Sequence, residues 1–250
     1  MIDLTIEDGI AWLTLNRPEV LNAMDLESVR AYGARLEGIR GNEDVRVVVT
    51  CGAGRAFCAG SDLKELAPLT PERAAEAERV HADSFALLDD VPQPTVAMLH
   101  GHVLGGGVGL AVYHDFRIAS ESARLGMPEV ELGWTPPWGL GRLVDVVGGA
   151  AARWIAMGCE TVTGGEAKAI GLVHECVADD ALKDRVRTFA LRLASFSPAA
   201  LRETKALLNR ISSARDAGWD AAASKAFEAC FGTDEARANL EAFTARKKDR

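Results

Sequence analysis

Two glycine-rich loops carry the residue types in this sequence that are best suited to binding an anion. The first covers residues 55–63 (RAFCAGSDL) and the second covers residues 100–107 (HGHVLGGG). Each follows a short apolar run that predicts a buried strand, at residues 45–50 and 94–99, and each leads into a predicted helix. The first N–H groups of a helix have no intrahelical acceptor, and glycine lets a ligand approach the backbone closely. The loops are therefore suited to an anion, or to an oxygen that gains negative charge during a reaction.

Neither loop is diagnostic alone. A lone run of three glycines is more often a turn that tight packing requires than a ligand site. The GxGxxG fingerprint after the first strand and the GxxxxGK[ST] P-loop are both absent from the sequence.

The elements that position these loops alternate between strand and helix in the first half of the chain. Asp25 is the predicted N-cap of the first helix. From about residue 141 the pattern is mainly helical, and the irregular segment 133–141, rich in Pro, Gly and Trp, is a candidate pocket wall. The predicted strands cover residues 4–6, 11–16, 45–50, 94–99, 115–120 and 172–177, and the predicted helices cover residues 26–40, 71–89, 108–113, 181–193, 198–210, 217–231 and a last one from about 233.

This order predicts an α/β core with a helical region packed on it, divided near Pro198 into residues 1–197 and 198–250. The chain has 250 residues, 48% apolar residues and a formal charge of −8, which disfavours general nucleic-acid binding. No apolar stretch approaches the roughly 20 residues of a membrane helix, and the first residues alternate like a strand rather than a signal peptide. We expect a cytoplasmic protein without membrane association.

The five cysteines are odd in number and form no CxxC pair, so neither a disulfide framework nor a zinc knuckle is predicted. His100 and His102 could share a strand face as metal ligands, but without further ligands a structural role is better supported. Cys58 as a thiol nucleophile is a weak alternative, because small buried thiols are common and no positioned histidine is evident.

Several ordered motifs together resemble the crotonase (enoyl-CoA hydratase/isomerase) family over nearly the whole chain. The resemblance implies an α/β crotonase-like spiral of repeated β-β-α units with a helical C-terminal region. It also implies trimers, often paired into hexamers, with the C-terminal helices as the interface. The motifs are NRPEVLNA at 16–23, AFCAGSDL at 56–63, GHVLGGG at 101–107, HDFRIA at 114–119, MPEVELG at 127–133 and TGGEAKAIGLV at 163–173.

The resemblance also assigns the site. It implies that the N–H groups of Ser61 and Gly106 bind a thioester oxygen, and it places the adenine of CoA against the backbone from Ala59 to Leu63. Val20 and Leu21 would lie near the pantetheine and Lys64 near the phosphates. An N-cap role for Asp62 is favoured over a ligand contact. CoA enters as part of the substrate, so no separate cofactor and no metal are expected.

One position departs from the family's hydratases, which carry two glutamates. Glu129 stands in the PE motif, whereas Gly109 occupies the position of the other glutamate. Apolar walls from Trp138 and its neighbours would raise the pKa of Glu129 into a useful acid/base range. Glu131, two residues on, is better explained as a solvated side chain.

A single carboxylate suffices for double-bond isomerisation, which the sequence therefore favours. Hydration of a linear or branched enoyl-CoA remains open, because family members with a GGGVG run include hydratases. A catalytically silent acyl-CoA binder is the third alternative, and the presence of Glu129 speaks against it. The basic tail 246–248 is either a contact for a CoA phosphate or a solvated charge run.

Overall fold

The computed structural model describes residues 1–216 and 218–246, with two sheets and the helices packed on them. Ten strands occur in these ranges: β1 Ile2–Glu7, β2 Ile10–Leu15, β3 Val47–Gly52, β4 Ala56–Cys58, β5 Thr95–Leu99, β6 His102–Leu104, β7 Phe116–Ser120, β8 Arg124–Gly126, β9 Val162–Thr163 and β10 Glu175–Val177. The helices are α1 Leu26–Arg40, α2 Leu63–Leu66, α3 Pro71–Asp90, α4 Gly106–Tyr113, α5 Leu140–Ala156, α6 Gly164–Ala169, α7 Leu182–Ala194, α8 Pro198–Asp216, α9 Trp219–Phe231 and α10 Asp234–Arg246.

The larger sheet has six strands in the order β1-β2-β3-β5-β7-β10. Strands β1 and β2 form an antiparallel hairpin, and every other neighbouring pair is parallel. Alternation along β3 sends Val48 into the core beneath α1 and α3, and Val47 and Val49 into a second core against α7. Both faces are covered, which explains why this strand is a continuous apolar run. The prediction of a mixed α/β fold is confirmed.

The smaller sheet, in the order β4-β6-β8-β9, is what brings the two glycine-rich loops together. Strands β4 and β6 lie within the loops that contain residues 55–63 and 100–107, and they pair in parallel, with Ala56 opposite His102. The sequence patterns assigned these segments to loops, because three residues are too few to display a strand period. Long-range pairing, rather than local sequence, makes them strands.

Helix starts follow the predicted capping chemistry. Asp25 accepts a 2.8 Å hydrogen bond from the N–H of Ser28, and α1 spans the predicted residues. Asp62 caps the short helix α2 by accepting from the N–H of Lys64, and its other carboxylate oxygen accepts from Arg17 at 3.1 Å. The prediction that Asp62 is an N-cap is confirmed.

The C-terminal helices pack back on the core of the same chain. Phe227, Phe231 and Leu240 are buried in one cluster with Trp134. These three side chains therefore pack within their own chain, while the role of the C-terminal helices as a subunit interface stays a prediction. Trp219 at the start of α9 is exposed. The predicted helix start at Ala217 and the basic residues 247 and 248 lie outside the described ranges.

No helix in the described part of the chain is long and apolar enough to cross a membrane.

Candidate active site

The two glycine-rich loops meet backbone to backbone. A Cβ atom added to Gly60 would lie 3.0 Å from the amide nitrogen of Gly106, and one added to Gly106 would lie 3.4 Å from the Cα of Gly60. Gly60 has φ +91° and Gly105 has φ +54°, backbone conformations that L side chains rarely adopt. Glycine at these positions therefore serves both the turn and the close approach.

Ser61 and Gly106, one from each loop, have backbone N–H groups without an acceptor in the hydrogen bonds of their own elements. The N–H of Met24 donates to the carbonyl of Gly60 at 2.8 Å, and the N–H of Asp62 donates to the carbonyl of Met24 at 3.0 Å. Successive N–H groups of an extended chain point to opposite sides, so the N–H of Ser61 points away from this bridge. Gly106 is the first residue of α4, where an N–H has no intrahelical acceptor. Ser61 and Gly106 both line one cavity.

Glu129 begins a 3-10 turn, Glu129–Leu132, and brings its carboxyl group to these loops. A Cβ atom on Gly105 would lie 3.0 Å from its Oε1. The residue is only 7% exposed, and its buried Oε2 has no hydrogen-bond partner among the described residues. Burial raises the pKa of Glu129 to about 8, opposed by a backbone hydrogen bond and reinforced by the charge of Glu78. A carboxyl group with that pKa holds its proton at neutral pH.

The cavity around these groups has a volume of about 280 Å³ and walls that are mostly apolar. The segment predicted as a pocket wall contributes Trp134, Pro137 and Trp138, and α10 contributes Phe243. The full lining is Leu21, Ala59, Gly60, Ser61, Leu63, Leu66, Glu78, Leu104, Gly105, Gly106, Gly109, Met127, Pro128, Glu129, Leu132, Trp134, Pro137, Trp138 and Phe243. An apolar cleft with a few convergent polar groups is the usual form of a small-molecule site.

A family model described as enoyl-CoA hydratase/isomerase matches residues 5–250. The chain belongs to the enoyl-CoA hydratase/isomerase family. It is 31% identical over 244 residues to a short-chain-enoyl-CoA hydratase of Clostridium acetobutylicum, covering 97% of this chain and 94% of that protein. It is also 31% identical over 252 residues to a crotonyl-CoA hydratase of Syntrophomonas wolfei, covering 99% and 96%. The crystal structure of an enoyl-CoA hydratase/isomerase from Xanthobacter autotrophicus Py2 superposes with a TM-score of 0.90 at 30% identity, covering 98% of this chain and 93% of that one.

Within this family site, Trp138 fills the space beside Gly109. A Cβ atom on Gly109 would lie 2.3 Å from Cζ3 of the indole, so any larger residue at 109 would collide with the ring. The same indole packs edge-on against Phe85 at 5.2 Å and stacks near His81 at 6.4 Å between ring centroids. Its position is thus fixed by α3 on one side and α4 on the other.

A second carboxylate lines the cavity, and the sequence analysis did not identify it. Glu78 on α3 is 2% exposed, and its Oε2 accepts a 2.8 Å hydrogen bond from Nε1 of Trp138. The cavity therefore holds two carboxyl groups, of which the sequence motifs indicated one. A signal was present, because Glu78 interrupts the apolar stripe of α3 that runs through Ala74, Phe85 and Leu88 at helical spacing. A charged residue on the core face of a helix requires a partner or a function.

The residues assigned by resemblance divide into two groups. Val20 lies in the turn Pro18–Val20, Asp62 caps α2 and Lys64 is exposed, and none of these three lines the cavity. Those that the structure brings together at the cavity are Leu21, Ala59, Ser61, Leu63, Gly106, Glu129 and Trp138.

Cys58 and His100, the residues considered for a thiol nucleophile and a metal site, are not among the residues that line the cavity. Cys58 is buried, and burial raises the pKa of its thiol to about 12, so it is not the thiolate that a nucleophile requires. His100 places Nε2 3.1 Å from the carbonyl oxygen of Gly54. In the described ranges no group of three or more His, Cys, Asp or Glu side chains is arranged to hold a metal ion.

Proposed function

We propose that this protein acts on an enoyl-CoA thioester, with Glu129 as the group that transfers a proton at the α-carbon. The observation that carries the proposal is the position of its buried carboxyl group against Gly105, one residue from the amide of Gly106. In this proposal the thioester oxygen lies between the N–H groups of Ser61 and Gly106. These donors stabilise the enolate, and loss of one such donor typically costs about 3 kcal/mol of the barrier.

Reversible hydration is the reaction that the site supports best. A carboxyl group with a pKa of about 8 rests mostly in its acid form at neutral pH, and water addition requires a proton donor for the α-carbon. The relatives in Clostridium and Syntrophomonas are named hydratases.

Double-bond isomerisation is the second candidate. It needs one acid/base group, which removes a proton from one carbon and returns it two carbons away. The indole against Gly109 favours this reaction, because it excludes a carboxylate from that position of α4.

We also propose how the rest of the substrate binds and how the subunits assemble. The backbone from Ala59 to Leu63 would hold the adenine, with Leu21 beside the pantetheine. Lys64, which is exposed in α2, would meet the phosphates. A trimer or hexamer would cover apolar side chains that α8 exposes, among them Leu208 and Ile211.

Turnover assays on 2-enoyl-CoA and 3-enoyl-CoA panels test the proposal. Absorbance of the conjugated thioester and product mass separate a water adduct from a mass-neutral shift. Glu129→Gln keeps the size of the side chain and removes the transferable proton, so we expect a rate loss of about 10²- to 10⁴-fold with little change in acyl-CoA affinity. Exposed Glu131→Gln is the matched control. Near-normal turnover by Glu129→Gln, or equal affinity for an acyl-CoA and its free acid, would contradict the proposal.

A further inference from the structure

Glu78 is the one described carboxylate besides Glu129 that lines the cavity. Burying its carboxyl group costs free energy unless the group is hydrogen-bonded or has a function. It lies on the buried face of α3 with 2% of its surface exposed. Removing an ionisable group from water carries a large penalty, so buried carboxylates are generally hydrogen-bonded, paired or functional.

The indole N–H of Trp138 holds this carboxylate in one orientation. Nε1 of Trp138 donates to Oε2 of Glu78 at 2.8 Å, while the six-membered ring of the same indole lies against Gly106 and Gly109. Trp138 therefore links Glu78 to the amide proposed to bind the thioester oxygen.

The two carboxylates line the same cavity from different elements. Glu129 approaches from the 3-10 turn at Gly105, and Glu78 approaches from α3 across Trp138. The negative charge of Glu78 also helps to raise the pKa of Glu129, which favours a state with a proton on Glu129. Two carboxyl groups in one cavity can divide the roles of acid and base when their surroundings differ.

We propose that Glu78 is the second catalytic carboxylate of this site, the base that activates water for addition to an enoyl thioester. The inference rests on the proposed function of the protein as an enoyl-CoA enzyme. It identifies a base on α3 at a site where the indole of Trp138 excludes one at position 109 of α4.

The step balances without any further reactant. Glu78 accepts one proton from water while the water oxygen bonds to C3, and the C2–C3 π electrons move toward the thioester. The resulting enolate oxygen is bound by the N–H groups of Ser61 and Gly106, and Glu129 then delivers its proton to C2. The proton on Glu78 returns through solvent to Glu129, so the net change is addition of one water.

The competing explanation is that Glu78 only anchors the indole. Glu78→Gln separates the two, because a glutamine oxygen still accepts the N–H of Trp138 but the amide cannot take a proton from water. Glu76→Gln, on the exposed side of the same helix, is the matched control.

The experiment measures two reactions for wild type, Glu78→Gln, Glu76→Gln and Glu129→Gln. The first is hydration of crotonyl-CoA, followed by absorbance and mass. The second is exchange of the α-protons of butyryl-CoA in D₂O, followed by mass, which requires the oxyanion hole and Glu129 but no activated water. Circular dichroism and butyryl-CoA affinity establish that each variant is folded and binds.

We expect Glu78→Gln to lower kcat for hydration about 10²-fold or more, with KM and α-proton exchange within about threefold of wild type. Glu129→Gln should lose both reactions, and Glu76→Gln neither. The role of Glu78 would be overturned if Glu78→Gln hydrated crotonyl-CoA at the wild-type rate, or if it lost hydration and α-proton exchange in parallel. It would also be overturned if the wild-type protein isomerised enoyl-CoA without hydrating it. A wild-type protein that neither binds nor transforms any acyl-CoA would instead refute the proposed function itself.

Discussion

Replacing Glu129 by glutamine should stabilise the fold while it removes activity. The carboxyl group is buried, its Oε2 has no hydrogen-bond partner among the described residues, and its pKa is raised from 4.5 to about 8. At pH 7 this carboxyl group is ionised in the unfolded chain and protonated in the folded protein. Taking up that proton on folding costs free energy. A glutamine side chain has no proton to bind in this range, so the Glu129→Gln variant avoids this cost.

The size of this effect on the free energy of unfolding follows from the shift in the pKa of Glu129. Between pH 4.5 and pH 8 the folded protein binds more protons at this site than the unfolded chain, so stability falls as pH rises through this window. One proton corresponds to about 1.4 kcal/mol per pH unit, which gives a cost of about 1 kcal/mol at pH 5 and about 3 kcal/mol at pH 7. The stability advantage of Glu129→Gln should therefore grow with pH and level off above pH 8.

Urea unfolding followed by circular dichroism at pH 5, 6, 7 and 8, at one protein concentration and without ligand, measures this difference. Glu131→Gln is the control, because Glu131 is exposed two residues away and should show an almost flat difference. A Glu129→Gln advantage that stayed constant from pH 5 to pH 8, or that shrank as pH rose, would refute the assignment of Glu129 as a carboxyl group that burial keeps protonated.

Three further perturbations test the packing around the site and the proposed assembly. Gly109→Ala places a Cβ atom 2.3 Å from the Trp138 ring, so we expect the free energy of unfolding in urea to fall by about 1–3 kcal/mol and the tryptophan fluorescence to change. Gly165→Ala is the control and should not destabilise the protein, because no atom lies within 4 Å of its added Cβ. Asp220→Ala removes an acceptor of two hydrogen bonds, 2.9 and 3.1 Å long, around the same indole, and should cost about 2 kcal/mol by the same assay. Leu208→Asp, at a position 61% exposed on α8, should convert a trimer or hexamer to smaller species in light scattering, and an unchanged mass would exclude this face as the interface.

The sequence predicted long elements well because their ends are marked locally. Helix α1 runs over Leu26–Arg40 as predicted, since Asp25 caps its start and Gly41 follows its end. The last predicted strand, residues 172–177, shortens to Glu175–Val177. Its first residues instead close a turn after α6, with the N–H of Leu172 bonded to the carbonyl of Ala167 at 2.8 Å. This bond spans five residues and belongs to the turn that ends α6, where Gly171 has φ +80°, so the glycine is its local signal.

The site was predictable where it is built from loops and motifs, and unpredictable where it is built from packing. Ser61, Gly106 and Glu129 occupy motif positions, and all three line the cavity. Glu78 and Trp138 are 60 residues apart in the chain, and no periodicity relates a helix residue to a residue in an irregular loop. Their hydrogen bond becomes visible only when α3 and the loop are placed side by side.

The C-terminal helices beyond Pro198 also contribute to the site. The region 198–250 was predicted as a helical region packed on the core and suited to oligomerisation, and it also supports the cavity in its own chain. Asp220 on α9 accepts hydrogen bonds from the N–H of Gly139 and the hydroxyl of Tyr113, which flank the Trp138 indole, and Phe243 on α10 lines the cavity. A carboxylate that anchors the loop behind the indole also constrains the partner of Glu78. The C-terminal helices therefore support the surroundings of both carboxyl groups. Helix α9 supports the loop that holds Trp138, the partner of Glu78, and Phe243 of α10 lines the cavity that contains Glu129.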